Sequence, residues 1–506
     1  MRLPILLLTI AMSMPLAAQT SLTVDTTQGQ VRGATTEAGL RVFRGIPYAA
    51  PPVGDNRWRE PQAPESWQGV RDATAFAPRC LQNAAAPGTD PVASSEDCLY
   101  LNVWTGNTNT EALQPVIVWI HGGGFTSGAG SNPGYDGENL AKHGAVVVTF
   151  NYRLGSFGFF SHPALSAESP NASSGNYGVL DMVAVLEWVY ENIEAFGGDP
   201  INVSIVGESA GAQSVATLLA SPRAAGLFHR AILQSGGWMG LGLSALPTLA
   251  QREAKGSRDA QQLGLTTVDQ LRALPAEEAL EKLPGGRINV DGYLLPRDPS
   301  LIYLGGQQQP VDVLVGSNAN EAAFFGPGIR SSAALREYAQ TKYGELSAEF
   351  LQLYPADSDD EAKYSFQRAF SDELAWQMRQ LAWYQGRRGL GAYVYYFTRV
   401  PPGQEDRGAT HASELPYMFN QTQQNPQWTE QDTELSELMA TYWVNFATST
   451  NPNQKGLPNW PAYRSHDVGN VMVFGERAMR ETQQEPPEES LAFFDKAFQR
   501  LLRSLP

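Results

Sequence analysis

The sequence contains little cysteine, little histidine and few basic residues. Two cysteines and six histidines occur among its 506 residues, and no Cys/His group has the spacing of metal ligands, so no metal site is predicted. Lys and Arg number 36 against 52 Asp and Glu, which gives a formal charge of −16. Because an acidic surface repels phosphate groups, nucleic acid is not an expected partner. The Gly-Lys-Ser/Thr sequence of a nucleotide-binding P-loop is also absent.

Long apolar runs are also absent, except at the start of the chain. There, one arginine precedes a run of roughly a dozen apolar residues, and the small residues Ala17 and Ala18 follow. Because this run is too short to span a bilayer, residues 1–18 are predicted to be a secretory signal peptide. The alternative is a buried N-terminal helix. The mature chain, residues 19–506, is then exported to the periplasm or the medium and does not insert into a membrane.

The two cysteines, Cys80 and Cys98, enclose a segment rich in Ala, Pro, Ser and Asp. In an exported protein, such a pair predicts a disulfide that closes a loop. Closing a loop of this length would stabilise the fold by about 3 kcal/mol in the chain-entropy model. Two free thiols are the alternative.

Short apolar runs alternate with helical patterns along the mature chain. Residues 115–120 (PVIVWI) and 145–150 (AVVVTF) are apolar at nearly every position, which indicates strands covered on both faces. Further strands are predicted at 202–206, 231–234, 311–315 and 392–397, and helices at 178–193, 210–219, 334–342, 361–370, 373–385, 432–447 and 488–502. This alternation predicts an α/β protein with a large, mostly parallel sheet flanked by helices. Without a repeat or a linker, residues 19–506 are expected to form one domain.

The pentapeptide Gly207-Glu208-Ser209-Ala210-Gly211 lies between a predicted strand and a predicted helix. A serine hydroxyl is a weak nucleophile that must be exposed beside a base. In the α/β-hydrolase fold, a sharp strand-to-helix turn with this GxSxG sequence exposes the serine. Although the short pattern also occurs by chance, its placement makes Ser209 the candidate nucleophile.

A second glycine motif, His121-Gly122-Gly123-Gly124-Phe125, directly follows the predicted strand at 115–120. Glycines let backbone N–H groups approach a ligand closely. We therefore predict that backbone N–H groups of this loop, together with the N–H of Ala210, form an oxyanion hole for a tetrahedral intermediate. A flexible glycine turn is the alternative.

The general base is sought among the histidines downstream of Ser209, because this fold orders its triad as Ser, acid, His. Four histidines precede the serine or stand directly before a strand: His121, His143, His162 and His229. Of the remaining two, His411 follows a predicted strand, whereas His466 lies in a polar tail segment. His411 is therefore the predicted base. If the pKa of His411 is ordinary, hydrolytic activity should fall below about pH 6, because the imidazole becomes protonated.

The acid of the triad is predicted at the end of the strand at 311–315. In open α/β sheets, reactive groups lie at the carboxyl ends of strands. Glu321 follows that end, whereas Asp312 lies at the opposite end. Glu321 would hold the imidazole in its productive tautomer and stabilise the imidazolium. A solvated loop carboxylate is the alternative.

Taken together, the motifs resemble those of the type-B carboxylesterases, which include bacterial para-nitrobenzyl esterases and the cholinesterases. The resemblance covers nearly all of the mature chain and rests on motifs in the family's order. These motifs are FRGIPYA at 43–49 with PPVG at 51–54, EDCLYLN at 96–102, HGGGF at 121–125, NYRLGxxGF at 151–159, the serine signature at 196–211 and GAxHxxELPYxF at 408–419.

This resemblance implies a serine esterase with an α/β-hydrolase fold, a deep active-site gorge and no cofactor. It implies Ser209, Glu321 and His411 as the triad, and Gly123, Gly124 and Ala210 as the oxyanion donors. It also implies a bridge between the two cysteines and an ion pair between Arg57 and Glu96. The expected partner is a small-molecule ester, which is hydrolysed through an acyl-enzyme on Ser209; the oligomeric state is not predicted.

One departure from the cholinesterases concerns the loop closed by the two cysteines. Residues 81–97 contain no tryptophan, so a quaternary ammonium group would lack its usual aromatic platform there. Acetylcholine is therefore not the expected substrate. Two other functions stay open: a non-catalytic binding protein, and a hydrolase of amides or of long-chain lipids.

Overall fold

The structure is a computed structural model. It describes residues 22–503 except for 84–91, 108–111, 238–244, 284, 325–327, 425, 465–469, 476–477 and 480–485. The predicted signal peptide lies outside the described residues and stays a prediction. His466, the histidine not chosen as the base, also lies outside them. No helix in the described ranges is both long enough and apolar enough to cross a bilayer.

The strands and helices alternate through the middle of the chain, as the apolar pattern predicted. The strands are β1 Thr23–Thr26, β2 Gly29–Arg32, β3 Ala34–Thr35, β4 Arg41–Pro47, β5 Val70–Asp72, β6 Arg79–Cys80, β7 Ser94–Ser95, β8 Tyr100–Thr105, β9 Gln114–Ile120, β10 Val146–Phe150, β11 Gly198–Glu208, β12 Arg230–Gln234, β13 Asp312–Asn318, β14 Ala392–Phe397, β15 Val471–Phe474 and β16 Ala478–Met479. The helices are α1 Glu138–Lys142, α2 Gly155–Phe159, α3 Pro163–Glu168, α4 Tyr177–Asn192, α5 Ala210–Ala220, α6 Leu249–Gln262, α7 Val268–Arg272, α8 Ala276–Lys282, α9 Pro299–Leu304, α10 Ser332–Tyr343, α11 Ser347–Leu353, α12 Asp359–Gly386, α13 Leu415–Met418, α14 Glu430–Ser449 and α15 Glu488–Leu502.

An 11-stranded sheet forms the centre of the protein, in the order β16-β15-β14-β13-β12-β11-β9-β10-β8-β4-β3. The neighbouring pairs from β10 to β15 are parallel. At the two edges the pairs are antiparallel. A large, mostly parallel sheet flanked by helices confirms the predicted α/β-hydrolase fold.

The side chains of β9 show why its sequence is apolar at nearly every position. Val116 and Val118 belong to one buried cluster, and Ile117 and Trp119 belong to another. Successive side chains of a strand point to opposite faces, so both faces of this strand are covered by the protein. Helices on the two faces provide that cover, and the strand predicted at 115–120 is confirmed.

One helix prediction is wrong. The sequence predicts separate helices at 361–370 and 373–385, but α12 runs without a break from Asp359 to Gly386. Two polar residues lie between the predicted segments, and both are accommodated inside the helix. Ser371 donates its hydroxyl to the carbonyl of Gln367 one turn earlier, and Asp372 accepts a hydrogen bond from Tyr354. Helices α1 to α3, α6 to α9, α11 and α13 were not predicted.

The predicted disulfide is present. Cys80 and Cys98 are bonded to each other, and both are buried. Beside this bridge, Arg57 forms two parallel hydrogen bonds with the carboxylate of Glu96, at 2.7 Å (Nε to Oε1) and 2.6 Å (Nη2 to Oε2). Bidentate pairs of this kind are geometrically specific as well as strong. The ion pair implied by the family resemblance therefore joins Arg57 to the disulfide-closed loop.

Candidate active site

Four parallel strands of the sheet deliver the predicted site residues to the same edge. The glycine loop 121–125 follows β9, Ser209 follows β11, Glu321 follows β13, and the loop with His411 follows β14. Because these strands are parallel, their carboxyl ends meet on one side of the sheet. Residues that are far apart in the sequence therefore come together there.

Ser209 occupies a sharp turn between β11 and α5. Its backbone has φ 56° and ψ −122°, a conformation that non-glycine residues rarely adopt and that costs of order 1–3 kcal/mol. Two backbone hydrogen bonds hold it: the Ser209 N–H donates to the Gln234 carbonyl, and the Ser209 carbonyl accepts from Gln213, each at 2.9 Å. The serine is only partly buried, whereas both of its neighbours are buried.

The flanking glycines of the pentapeptide are needed for packing. A Cβ atom on Gly211 would lie 2.0 Å from the carbonyl oxygen of Ile120, and one on Gly207 would lie 2.4 Å from the carbonyl carbon of Gly211. Real Cβ atoms essentially never approach other atoms so closely. The strand, the turn and the helix can therefore pack together only if these two positions lack a side chain.

His411 and Glu321 are joined as predicted. The His411 Nδ1 lies 2.6 Å from Glu321 Oε2, and both side chains are buried. The other oxygen of Glu321 accepts a hydrogen bond from the N–H of Asn318 at 2.7 Å. The two loops are also joined through the backbone, because Asn320 donates its N–H to the Ala409 carbonyl at 2.8 Å. The imidazole is therefore held from its Nδ1 side, and its Nε2 lies on the side of Glu208, the residue before Ser209.

Two more buried carboxylates surround His411, and sequence reasoning missed both. Glu208 places Oε1 at 3.1 Å from His411 Nε2 and is only 3 % exposed. Glu414 is fully buried and accepts hydrogen bonds from the side chains of Gln234 and Asn318. Their sequence positions offered a signal, because one adjoins the serine and the other lies three residues after the histidine.

These carboxylates change the proton affinity of the imidazole. Burial by itself lowers the pKa of His411, but Glu208 and Glu321 outweigh it and raise this pKa to about 9. Burial also raises the pKa of the Glu208 carboxyl, to about 8, and positive charge on His411 opposes that rise. The two groups therefore compete for a proton, and His411 holds one more firmly than an ordinary histidine.

The glycine loop lies directly against the serine turn. A Cβ atom on Gly122 would lie 3.1 Å from Ser209 Cβ and 2.9 Å from the carbonyl oxygen of Glu208. Gly123 and Gly124 follow, and Ala210 begins α5, where the first N–H groups of a helix have no partner within the helix. The structure thus brings the predicted oxyanion donors and Ser209 to one place.

Of the other histidines, His229 accepts a hydrogen bond at Nδ1 from the N–H of Val203, which ties this side chain to the backbone of β11. Within the described ranges, no three His, Cys, Asp or Glu side chains are arranged to hold a metal ion.

Known proteins resemble this chain over most of its length. A sequence model of the carboxylesterase family matches residues 20–494. The fumonisin B1 esterase of Sphingopyxis macrogoltabida is 38% identical over 496 residues, which cover 92% of this chain and 89% of that protein. The para-nitrobenzyl esterase of Bacillus subtilis (strain 168) is 36% identical over 485 residues, which cover 90% of this chain and 95% of that protein.

Solved structures show the same likeness. A PNB esterase aligns with a TM-score of 0.78 at 34% identity, over 90% of this chain and 96% of that one. A thermophilic PNB esterase aligns with a TM-score of 0.82 at 33% identity, over 94% of this chain and 100% of that one.

Proposed function

The chain belongs to the carboxylesterase family and hydrolyses carboxylic esters, and we propose that Ser209, His411 and Glu321 carry out this reaction. The observation that carries the proposal is the 2.6 Å hydrogen bond between His411 and the buried Glu321, next to the turn that exposes Ser209. A serine hydroxyl needs such an oriented base to become a nucleophile.

In the first half of the reaction, His411 Nε2 takes the proton of Ser209 as its Oγ attacks the acyl carbon. The carbonyl oxygen becomes an oxyanion that accepts hydrogen bonds from the N–H groups of Gly123, Gly124 and Ala210. The alcohol then leaves with the proton held by His411. In the second half, His411 takes a proton from water, which attacks the acyl-enzyme, and the acid is released as Ser209 regains its proton.

The carboxylate of Glu321 serves this cycle in two ways. By accepting the Nδ1–H of the neutral imidazole, it selects the tautomer whose Nε2 carries no proton, and it stabilises the imidazolium that forms during the attack. The backbone N–H of Asn318 holds its second oxygen, which keeps the carboxylate in the orientation that the imidazole requires.

A chain-length series of para-nitrophenyl esters, from acetate to palmitate, combined with covalent labelling, tests this proposal. Diethyl para-nitrophenyl phosphate should abolish turnover, and mass spectrometry of the digested protein should find one diethyl phosphoryl group on Ser209. Turnover that is highest for short chains supports a carboxylesterase, whereas a preference for palmitate favours a lipase. Label on another residue, with activity lost, would overturn the assignment of Ser209.

The pH dependence of hydrolysis should reflect the carboxylates around His411. Because protonated His411 cannot accept the Ser209 proton, and because Glu208 raises the pKa of His411, kcat/KM should fall at a higher pH than the value near 6 expected from the sequence. Glu208→Gln removes the carboxylate that lies 3.1 Å from His411 Nε2. Its acid limb should move to lower pH by about one unit, roughly 1.4 kcal/mol.

The matched control for this pH profile is Glu405→Gln, which removes an exposed carboxylate from the same loop as His411. Water screens that charge, so the limb should stay where it is in the parent protein. A Glu208→Gln profile that coincides with that of the control would rule out Glu208 as the cause of the raised pKa.

We also propose that residues 1–18 are removed on export and that residues 19–506 form a single domain. The buried disulfide supports an oxidising destination, since disulfides persist there and are rare in the cytosol. The single large sheet, whose strands come from both ends of the chain, supports one domain. N-terminal sequencing of the exported protein should begin at Gln19.

A further inference from the structure

The histidine that opens the glycine loop has no part in the acyl transfer described above. His121 is completely buried, and its ring stacks on Tyr152 with the ring centroids 4.3 Å apart. The Tyr152 hydroxyl donates to the His121 carbonyl at 2.9 Å. Burial lowers the pKa of His121 to about 4, so the ring is neutral near pH 7.

One hydrogen bond identifies which nitrogen of this ring carries the proton. The His121 Nδ1 lies 2.8 Å from the carbonyl oxygen of Gly122. A carbonyl oxygen can only accept, so Nδ1 is the donor. The Nε2 atom makes no hydrogen bond within the part of the chain that the structure describes, which agrees with this tautomer.

The surrounding chain leaves room for this contact. A Cβ atom on Gly128 would lie 2.3 Å from His121 Nδ1 and 2.7 Å from the Gly122 carbonyl oxygen. Gly128 also has φ 113°, which disfavours any side chain there. The side chain of Gln82 holds this residue in place, because Gln82 accepts from its N–H at 3.0 Å and donates to its carbonyl at 2.9 Å.

The accepting carbonyl shares its peptide group with a proposed oxyanion donor. The C=O of Gly122 and the N–H of Gly123 lie in one planar trans peptide, in which they point in opposite directions. A hydrogen bond that fixes the carbonyl therefore fixes the direction of the N–H. It also polarises the peptide, which strengthens the N–H as a donor.

Backbone hydrogen bonds aim the other two proposed donors. The carbonyl of Gly123, which shares a peptide with the Gly124 N–H, accepts from the N–H groups of Thr126 and Ser127, each at 3.1 Å, and from the hydroxyls of the same two residues, each at 3.2 Å. The carbonyl of Ser209, which shares a peptide with the Ala210 N–H, accepts from Gln213 at 2.9 Å inside the helix. For the Gly123 N–H, the side chain of His121 has this role, because it donates to the carbonyl of Gly122 in the same peptide.

We propose that His121 is a positioning residue, which holds the Gly122 carbonyl so that the Gly123 N–H faces the oxyanion. This inference rests on the proposed oxyanion hole and on Ser209 as nucleophile. His121 acts through the peptide and does not touch the substrate. Its loss should therefore weaken binding of the transition state and leave binding of the ester in its ground state unchanged.

Three variants separate the hydrogen bond from the space that the ring fills. His121→Phe keeps a ring against Tyr152 but has no donor. His121→Asn keeps an N–H close to the position of Nδ1, and His121→Leu has nearly the same shape as Asn without the N–H. We expect kcat for para-nitrophenyl acetate to fall about 10- to 100-fold in the Phe and Leu variants, less than for complete loss of a donor. The Asn variant should regain most of the lost kcat, and the KM of all three variants should stay within about twofold of the parent value.

Inhibition by a matched pair of ketones provides a readout that a merely structural role would not change. An aryl trifluoromethyl ketone forms an oxyanion when Ser209 adds to it, whereas the matching methyl ketone binds without doing so. The Ki of the trifluoromethyl ketone should rise in parallel with the loss of kcat, while the Ki of the methyl ketone stays constant. If His121→Phe does not fold, the Asn and Leu pair makes the same comparison.

The outcomes are distinct. Phe and Leu variants that keep kcat within about twofold, or an Asn variant that falls as far as Leu, would overturn the role of His121. Equal weakening of both ketones would overturn it too, because it would show a general loss of binding. Ser209→Ala, assayed in parallel, separates a failure of the His121 proposal from a failure of the proposed function. Retained turnover in that variant would rule out Ser209 as the nucleophile.

Discussion

Ser209→Ala is expected to lower kcat for para-nitrophenyl acetate by about 10,000- to 1,000,000-fold. The variant lacks the oxygen that forms the acyl-enzyme, and His411 then has no hydroxyl to deprotonate. Some acceleration over water should persist, because the oxyanion donors are backbone groups that the substitution leaves in place. Steady-state kinetics with purified protein, checked for contaminating esterase by the absence of a burst, measures the effect.

Two further variants show that the loss arises from the hydroxyl. Ser214→Ala removes a buried hydroxyl from α5, where it donates to the Ala210 carbonyl at 2.9 Å, and should keep nearly full activity. Ser209→Gly should be as inactive as Ser209→Ala, yet its free energy of unfolding should rise by about 1 kcal/mol, because glycine adopts the φ of 56° without strain. An active Ser209→Ala protein would rule out this serine as the nucleophile.

Glu321→Gln is expected to lower kcat by about 10,000-fold, with little change in KM. The Gln amide has nearly the shape of the carboxylate but can donate its N–H to His411 Nδ1. That hydrogen bond favours the tautomer with the proton on Nε2, which cannot accept the proton of Ser209. The imidazolium would also lose the negative charge 2.6 Å from Nδ1.

Asp312→Asn is the matched control, because Asp312 begins the same strand that leads to Glu321. Its carboxylate accepts a hydrogen bond from the N–H of Gly391, at the opposite end of the sheet from the site. We expect kcat to stay within about twofold of the parent protein. Equal losses in the two variants would show that a carboxylate anywhere on this strand acts through stability, and would contradict the triad assignment. Thermal unfolding of both variants checks this directly.

These predictions depend on features that can be read along the chain. The run at 115–120 is apolar because both faces of β9 are buried, and a local pattern is enough to show that. The pentapeptide around Ser209 carries its own turn, since Gly207 and Gly211 are needed within a few residues of the serine. The chain order of the fold then pointed to Glu321 and His411, which the structure places in contact.

The long helix α12 marks one limit of such reasoning. Its polar residues at 371 and 372 resemble a helix break in the sequence, and whether they are tolerated depends on partners. Tyr354, which bonds to Asp372, is 18 positions away, so no local pattern contains that information.

The electrostatic setting of the site was decided by the tertiary structure alone. Glu414 meets Gln234 across 180 positions of sequence, and Glu208 reaches His411 from a different strand of the sheet. The role inferred for His121 likewise depends on its burial under Tyr152. The sequence by itself determined the fold class and pointed to the residues proposed as nucleophile, base and acid, because glycine turns, apolar periodicity and motif order can be read along the chain. Only the tertiary structure determined the pKa of His411 and the direction in which the N–H groups of the glycine loop point. Both depend on charges and contacts that distant segments of the chain bring together.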